Sequence, residues 1–322
     1  MALRQAAQLG HSTQGATAYV TLEPCSHHGR TPPCCDALIK AGVAKVVVAA
    51  LDPNPLVAGQ GIKRLRAAGI AVEVLPPDSP EAIATRELNI GFFSRMIRGT
   101  PWVRLKTAMS LDGTTALADG TSQWITGEAA RADGHAWRAR ACAVLTGIGT
   151  VREDDPMLDV RLVETQRQPH LVIIDSRLET PPTARLFQTQ APRKIFIYGA
   201  QEAPERQAAL EARGATVICL PNVGGKVDLA AMLKDLGRRE INELHVEAGH
   251  KLHGSLIRED LADEFLVYLA PKLLGPGMGM ANLSPLSQLD QAPQLVFNSV
   301  DRVGSDLRIL ARVEGHDAFL HA

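Results

Sequence analysis

The sequence predicts an α/β protein made of two domains, and three observations support that prediction. The chain has 322 residues, more than a typical single domain contains. Apolar runs of strand length alternate with stretches of helical period along the chain, which is typical of layered α/β folds. The stretch Gly-Thr-Pro at residues 99–101 separates two such series. We therefore expect domains at residues 1–99 and 100–322.

The first domain is predicted to open with a helix already in mid-course, because residues 2–9 have no N-cap before them. Its strands are predicted at residues 16–23, 45–51 and 71–76. Its further helices are predicted at residues 34–41, 59–69 and 79–99. Pro32 and Pro33 mark the start of the helix at 34–41 and Gly42 marks its end, as these residues commonly do.

The second domain is predicted to contain a largely parallel sheet, because helices separate its later strands. Strands are predicted from residue 102, at 143–147, 170–176, 193–200, 215–220 and 243–249, and within EFLVYLAPKLLG and DLRILARV. Helices are predicted at residues 127–142, 203–213, 228–240 and 250–259. We interpret residues 146–150 as a small-residue turn after a strand and residues 151–161 as an acidic turn.

Composition disfavours several classes of protein. The net charge is −1, with lysine and arginine dispersed, whereas a nucleic-acid binder usually carries a basic patch. No apolar run approaches the ~18 residues of a membrane span, and the first residues lack the apolar core of a secretory leader. The five cysteines are an odd number in a long chain, which disfavours a disulfide framework and favours a cytoplasmic location.

One cysteine pair has the spacing of half a zinc-deaminase signature. Pro24 and Cys25 follow a predicted strand, and Cys34 opens a predicted helix nine positions later. Zinc binds deprotonated thiols, and a helix N-terminus favours the thiolate of Cys34. A pair of buried thiols and half of a structural zinc site remain open alternatives. The adjacent Cys35 is expected to be buried in packing.

Two strand-to-helix junctions in the second half suit a nucleotide. TGIGT at 146–150 lets the backbone approach a phosphate, although an ordinary turn is an open alternative. VEAGHKLHGSL at 246–256 runs from a strand through Gly249 to a helix start, which presents N–H groups to an anion. Its spacing does not match GxGxxG, so a Rossmann fingerprint is not supported.

The motifs TLEPCSHHGRTPPC and DPNPLVAGQG make residues 2–99 resemble the deaminase domain of the bifunctional deaminase–reductases of riboflavin biosynthesis. The resemblance implies a cytidine-deaminase-like three-layer α/β/α fold and zinc bound by the thiolates of Cys25 and Cys34. In that family a His-Ala-Glu triplet, which supplies the third ligand and a proton-shuttling glutamate, precedes the equivalent of Ala2. We therefore expect a domain that is incomplete at the N-terminus and has little deaminase activity. Alternatively, the true start lies upstream, or His11, His27 or His28 substitutes as a ligand.

Residues 101–322 resemble the reductase domain of the same family through KTAMSLDGTTA, SQWIT, GIGTVREDDPMLDVR, LVIIDS, HVEAGHKLHGSL and YLAPKLLG. The resemblance implies a dihydrofolate-reductase-like α/β fold with a mostly parallel sheet. It also implies NADPH-dependent reduction of the ribosyl chain of 5-amino-6-(5-phosphoribosylamino)uracil to the ribitylamino form, usually in a homo-oligomer. Alternatives are a full bifunctional enzyme that also deaminates 2,5-diamino-6-(5-phosphoribosylamino)pyrimidin-4-one, a nucleic-acid deaminase and a non-enzymatic scaffold.

The resemblance also assigns roles to individual residues. The implied cofactor contacts are Ala108, Trp124, Thr150, Asp154, Ser176, Gly249, His250, Lys251, Leu252, His253, Gly254 and Ser255. The implied contacts to the pyrimidine ribotide are Ser122, Arg138, Leu158, Arg161 and Glu247. Arg138 and Arg161 suit a ribose phosphate, because a guanidinium donates two hydrogen bonds in a fork. Lys106 and Asp154 are the candidates for proton transfer.

Overall fold

The computed structural model describes residues 1–29, 31–55, 57–189 and 192–321, and the chain divides into two compact units. The first unit comprises Met1–Arg98 together with the C-terminal residues from Ala318 onward. The second comprises Gly99–Asp317. The end of the chain therefore belongs to the first unit, although the sequence patterns assign it to the second.

The first unit contains a parallel sheet in the order β1-β2-β3, with helices between the strands. Its strands are β1 (Thr17–Leu22), β2 (Lys45–Ala50) and β3 (Ala71–Val74). Its helices are α1 (Ala2–Gln8), α2 (Cys34–Lys40), α3 (Gln60–Ala67), α4 (Pro80–Leu88) and α5 (Ile90–Arg98). The central strand β2 is almost wholly buried, as its continuous apolar sequence predicts. Strand β1 lies at one edge and leaves Tyr19 exposed.

The helix predicted over residues 79–99 is interrupted in the structure. Helices α4 and α5 meet at Asn89, whose side-chain amide donates a 2.9 Å hydrogen bond to the Thr85 carbonyl. Asparagine competes in this way with the backbone bonds of a helix, so the interruption has a local cause. A short 3-10 turn at Ala318–Leu320 accompanies α5, and the Arg98 guanidinium lies 4.9 Å from the centre of the Phe319 ring.

The second unit is built on one large sheet, whose described strands follow the order β13-β14-β11-β4-β10-β6-β7-β8-β9. The strands are β4 (Trp102–Ser110), β5 (Thr114–Leu117), β6 (Ala143–Gly147), β7 (His170–Ile174), β8 (Ile195–Gly199), β9 (Ala215–Cys219), β10 (Glu243–Val246), β11 (Glu264–Ala270), β12 (Gly277–Gly279), β13 (Leu295–Val303) and β14 (Asp306–Val313). The helices are α6 (Glu128–Arg140), α7 (Ile148–Asp154), α8 (Pro204–Glu211), α9 (Leu229–Arg238) and α10 (His250–Arg258). All pairs from β11 to β9 are parallel, whereas β14 is antiparallel to β11 and to β13. The predicted largely parallel sheet is therefore confirmed.

Strands β4 and β10 of this sheet have one apolar face and one charged face. Leu105 and Val246 belong to the larger apolar core. Successive side chains of a strand point to opposite faces, so Lys106 of β4 and His245 of β10 lie on the other side of the sheet. This alternation places ionisable groups on the face of the sheet opposite the larger apolar core.

The predictions of turns at residues 146–150 and 151–161 are wrong in part. Helix α7 begins at Ile148 and continues to Asp154, so only residues 155–161 form a loop. Glycine lowers helix propensity, and packing overrides that preference here. The sequence patterns also do not predict β5, β12 or β13. The first two are very short, and β13 lacks a buried apolar face.

Candidate active site

Three charged side chains meet where β10 ends beside the middle of β4. Val246 pairs with Leu105 in the sheet, which brings Glu247 level with Lys106. The Lys106 Nζ lies 3.8 Å from Glu247 Oε2. Arg138 of α6 donates from Nε and Nη2 to the two Glu247 oxygens, at 2.7 and 2.9 Å. The carboxylate is thus held between a buried guanidinium, which grips it through two bonds, and a partly exposed ammonium.

The charges around Glu247 determine which group carries a proton. Burial alone would raise the pKa of Glu247, but Arg138 and Lys106 outweigh it and hold that pKa well below the usual range. Glu247 is therefore ionised at neutral pH and has no proton to donate. In this trio only the Lys106 ammonium carries a proton that can be transferred, because the guanidinium of Arg138 stays protonated.

Sequence reasoning does not identify His245, which contacts the same carboxylate. Its Nε2 lies 3.4 Å from Glu247 Oε1, and the side chain is fully buried. Burial lowers the pKa of His245, so the ring is neutral at neutral pH. The signal was available in the sequence, because residues two apart on a strand share a face and Glu247 was already a candidate.

The loop at residues 155–161 reaches this group through Arg138. The Nη1 of Arg138 donates to the Asp159 carbonyl, so both arms of the guanidinium are occupied within the protein. Arg161 forms a 2.8 Å ion pair with the Asp159 carboxylate, and its side chain remains half exposed. The His135 Nδ1 accepts a 3.2 Å hydrogen bond from the Arg161 backbone N–H. Burial, together with Arg138 and Arg161, lowers the pKa of His135 to about 4, so it is neutral and able to accept.

Two helix starts lie side by side at the same edge of the sheet. Strands β6 and β10 are parallel neighbours, and they lead into α7 and α10 respectively. A Cβ added at Gly147 would lie 3.4 Å from the Leu252 side chain, which places α10 beside the start of α7. A Cβ added at Gly249 would meet nothing within 4 Å, so open space lies in front of α10. Among the described residues no side chain caps either helix start, which leaves backbone N–H groups for an anion.

The remaining candidate cofactor contacts are distributed around these helix starts. Ala108 lies on β4, Thr150 lies in the first turn of α7, and Ser176 follows the end of β7. The segment Gly249–Ser255 forms the start and first turns of α10. Asp154 is different, because it is the last residue of α7 and is exposed. The structure brings Lys106 together with Glu247 and not with Asp154.

Ser122 and Trp124 precede α6 in an exposed loop. The Trp124 carbonyl accepts a 3.1 Å hydrogen bond from the Lys272 Nζ, and the Arg131 guanidinium lies 4.6 Å from the centre of the Trp124 ring. These contacts fix the tryptophan although its ring remains largely open to solvent. An exposed aromatic ring held in this way can stack on a planar ligand.

In the first unit, local packing brings the two candidate zinc ligands together. The backbone N–H of Cys34 lies 3.3 Å from the Cys25 Sγ and donates to it. Burial and the Cys25 side chain raise the pKa of Cys34. Cys35 is fully buried, as predicted, and burial raises its pKa to about 11.

The turn that carries Cys25 is fixed from α3. The buried Glu23 carboxylate accepts hydrogen bonds from the backbone N–H groups of Gly59, Gly61 and Ile62. The negative charge of Glu23 therefore lies at the start of α3, where it offsets the positive end of the helix dipole. Gly61 has no substitute here, because an added Cβ would lie 1.9 Å from the Pro24 carbonyl oxygen.

These residues do not complete a catalytic zinc site. Within the part of the chain that the structure describes, no group of three or more His, Cys, Asp or Glu side chains can hold a metal ion. A catalytic zinc takes three protein ligands, and the Cys25–Cys34 pair supplies two. Cys25 and Cys34 would therefore need a third ligand to hold a catalytic zinc.

Comparisons with known proteins agree with both halves of the chain. Residues 101–309 match the family described as RibD C-terminal domain, and residues 1–50 match the cytidine and deoxycytidylate deaminase zinc-binding region. The riboflavin biosynthesis protein RibD of Escherichia coli is 45% identical over 95% of this chain and 83% of its own length. The RibD structure from Acinetobacter baumannii has a TM-score of 0.83 and 40% identity, and covers 97% of this chain and 84% of that one.

A Thermotoga maritima structure described as a diaminohydroxyphosphoribosylaminopyrimidine deaminase/5-amino-6-(5-phosphoribosylamino)uracil reductase has a TM-score of 0.80 and 30% identity. The match covers 97% of this chain and 83% of the Thermotoga maritima chain. No helix among the described residues is long and apolar enough to cross a membrane.

Fold and site together define a two-domain enzyme in which a deaminase-like unit is joined to a reductase. The chain belongs to the RibD family of riboflavin biosynthesis proteins. The predictions of family, fold class and enzyme class are thereby confirmed.

Proposed function

We propose that this chain uses NADPH to reduce the ribosyl chain of 5-amino-6-(5-phosphoribosylamino)uracil to the ribitylamino form. The observation that carries the proposal is the Lys106–Glu247–Arg138 group, which lies at the end of β10 beside the open start of α10. In parallel α/β sheets, ligands bind at this edge. A charged group of this kind suits a reaction in which a proton and a hydride are added at neighbouring atoms.

The start of α10 fits the phosphates of a dinucleotide. Gly249 leaves room for them, and the backbone N–H groups of the first turn provide donors for negatively charged oxygens. Thr150 lies in the first turn of α7 and Ser176 lies just after β7, where they would contact the remainder of the cofactor. NADPH supplies a hydride when it is bound.

The proton comes from Lys106. Reduction at the anomeric carbon requires the furanose to open, so its ring oxygen must be protonated. Glu247 is held ionised and cannot serve as the acid, whereas the Lys106 ammonium is beside it and partly exposed to the site. Glu247 keeps the ammonium in place and stabilises positive charge that develops at the anomeric carbon. Asp154 is therefore the weaker candidate for proton transfer.

The ribose phosphate binds to Arg161. The guanidinium of Arg138 is already committed to Glu247 and to the Asp159 carbonyl, so it orients the carboxylate and does not bind phosphate. Arg161 is half exposed, with one arm on Asp159 and the remaining donors available.

Oxidation of NADPH by the purified chain tests this function. The deaminated uracil ribotide and the undeaminated diaminopyrimidine ribotide are supplied in parallel, with zinc present. Consumption of NADPH with the deaminated ribotide alone identifies a reductase without deaminase activity. Consumption with both ribotides adds the second candidate function, zinc-dependent deamination, which the match at residues 1–50 favours. No consumption with either ribotide would overturn the proposal.

The chain also associates with a second copy of itself through β13. This strand ends the described order of the sheet, and its side chains Leu295, Val296, Phe297 and Val300 are 42–69% exposed. An apolar edge strand of this kind is ordinarily covered by another chain.

The free cysteines, two of them exposed, suit a reducing compartment, so we place the enzyme in the cytoplasm.

A further inference from the structure

Arg193 holds the backbone of the 155–161 loop from outside the loop. It lies shortly before β8, and its Nη1 donates a 2.7 Å hydrogen bond to the Leu158 carbonyl. Its Nη2 donates to the Met157 carbonyl at 2.6 Å and to the Leu186 carbonyl at 2.9 Å. One guanidinium thus joins two consecutive peptide groups of the loop to a fixed turn that precedes β8.

These hydrogen bonds are unusual because their donor, the Arg193 guanidinium, is a largely buried cation. Among the described residues no carboxylate lies within ion-pair distance of Arg193, although Asp159 is near enough to influence its pKa. Burial lowers the pKa of Arg193 to about 10, so it remains charged at neutral pH. Hydrogen bonds from a charged donor are stronger than neutral ones, and a buried cation left without them is strongly unfavourable. The charged guanidinium of Arg193 therefore binds backbone carbonyl groups and not a carboxylate.

The loop needs this external support. Asp155 and Leu158 both have left-handed backbone conformations, with φ of 40° and 49°. Residues other than glycine adopt this region at an energetic cost, and they keep it only where surrounding contacts impose it. Gln168 supplies two further bonds to the backbone of Val160, at 2.7 and 2.9 Å. The conformation between residues 155 and 161 is thus imposed from several sides.

We propose that Arg193 is a positioning residue for the ribotide, and that it acts by fixing the loop that carries Leu158 and Arg161. The inference rests on the proposed function. Arg138 binds both the Asp159 carbonyl and Glu247, so a displaced loop would also disturb the carboxylate. Arg193 itself contacts neither the ribotide nor the cofactor in this proposal.

Two substitutions at Arg193 and one control test the inference. Arg193→Met removes the donors, and Arg193→Lys keeps a charge but replaces the fork by a single ammonium. Arg167→Met is the matched control, because Arg167 also donates from both arms to backbone carbonyls, at 3.0 Å to Ala141 and 3.0 Å to Arg140, but not to the loop. We expect Arg193→Met to lower kcat/KM for the ribotide about a hundredfold, mainly through KM, since small misplacements have effects of that size. Arg193→Lys should be intermediate, and the KM for NADPH should be nearly unchanged in all three.

Hydrogen exchange distinguishes a failure of this inference from a failure of the proposed function. The backbone amides of residues 157–161 should exchange faster in Arg193→Met than in the unmodified chain or in Arg167→Met, whether or not the enzyme reduces the ribotide. If the unmodified chain shows no reductase activity, the proposed function fails and the exchange result alone decides the role of Arg193. Wild-type exchange in Arg193→Met, or equal effects of Arg193→Met and Arg167→Met on the ribotide KM, would overturn the inference.

Discussion

At the scale of single residues, the site depends on an asymmetry between two neighbouring groups. Glu247 is gripped through two bonds and kept ionised, whereas Lys106 approaches it from the partly exposed side at 3.8 Å. In the proposed function this pairing determines the roles, because the ionised carboxylate cannot donate a proton and the ammonium can. His245, buried beneath the pair and neutral, adds no charge that would oppose this arrangement.

The role of Lys106 can be separated from its charge. Lys106→Met removes the ammonium, and we expect kcat for the deaminated ribotide to fall by about a hundredfold to ten-thousandfold, the range typical of general acids. Lys106→Arg retains a positive charge beside Glu247 but cannot release a proton at neutral pH. It should therefore bind the ribotide with nearly the original KM and still have the low kcat. Steady-state kinetics with saturating NADPH measures both quantities, and a wild-type kcat in Lys106→Arg would contradict proton donation by Lys106.

At the scale of elements, β13 differs from the other long strands of its sheet. It pairs with β14 along one edge only, and a register irregularity falls between Phe297 and Ser299. Its alternation does not separate an apolar face from a polar one, since consecutive residues from Leu295 to Phe297 are all exposed and apolar. A strand of this composition is stable at a sheet edge when a second surface covers it.

If two copies associate through β13 as proposed, charge introduced on this strand should separate them. We expect Phe297→Glu to shift the chain from dimer to monomer, because a carboxylate would lose its hydration in the covered interface. Sedimentation velocity at several protein concentrations measures the change. Val223→Glu is the control, since Val223 is fully exposed on a turn away from this strand. A monomeric unmodified chain, or a dimer that Phe297→Glu leaves intact, would exclude β13 as the interface.

At the scale of the whole molecule, buried neutral histidines couple stability to pH. His135 and His253 are each nearly inaccessible to solvent, and burial lowers the pKa of each to about 4. The unfolded chain takes up these protons near pH 6.5, whereas the folded chain resists them until about pH 4. The free energy of unfolding must therefore decrease as the pH falls through this window.

Denaturant unfolding at pH 7 and at pH 5 measures this coupling. Relative to pH 7, each histidine should lower the free energy of unfolding at pH 5 by about 2 kcal/mol. The reason is that each pH unit between the unfolded and folded pKa values corresponds to ~1.4 kcal/mol per group. His253→Gln should remove roughly half of the decrease that the two histidines cause. His11→Gln replaces an exposed histidine and should leave the decrease unchanged. An identical pH dependence in His253→Gln and the unmodified chain would show that His253 does not contribute.

Much of the fold could be predicted from local patterns, because most strands and helices of this chain obey them. The exceptions have physical causes that act over distance or between neighbours. A helix beginning at Ile148 directly after a glycine-containing strand end depends on packing, and the interruption at Asn89 depends on one side-chain hydrogen bond. Neither feature has a distinctive sequence pattern.

The candidate site was predictable as a set of residues but not as an arrangement. Arg138 and Glu247 lie 109 positions apart, so no spacing rule reveals that one grips the other. The sequence therefore suggested a phosphate ligand at Arg138, where the structure has an internal ion pair. No sequence motif identifies Arg193, because the role proposed for it comes from the backbone carbonyl groups to which it donates.

The route of the polypeptide has a consequence for dissecting this enzyme. Because the chain leaves the first unit after Arg98 and re-enters it at Ala318, the second unit is topologically an insertion within the first. A single proteolytic cut at residues 99–101 would not free a complete first unit, since the tail with Phe319 would remain attached to the other fragment. Separate expression of the two units would require a gene in which this tail is rejoined to Arg98, and an affinity tag appended after Ala322 would be attached to the first unit.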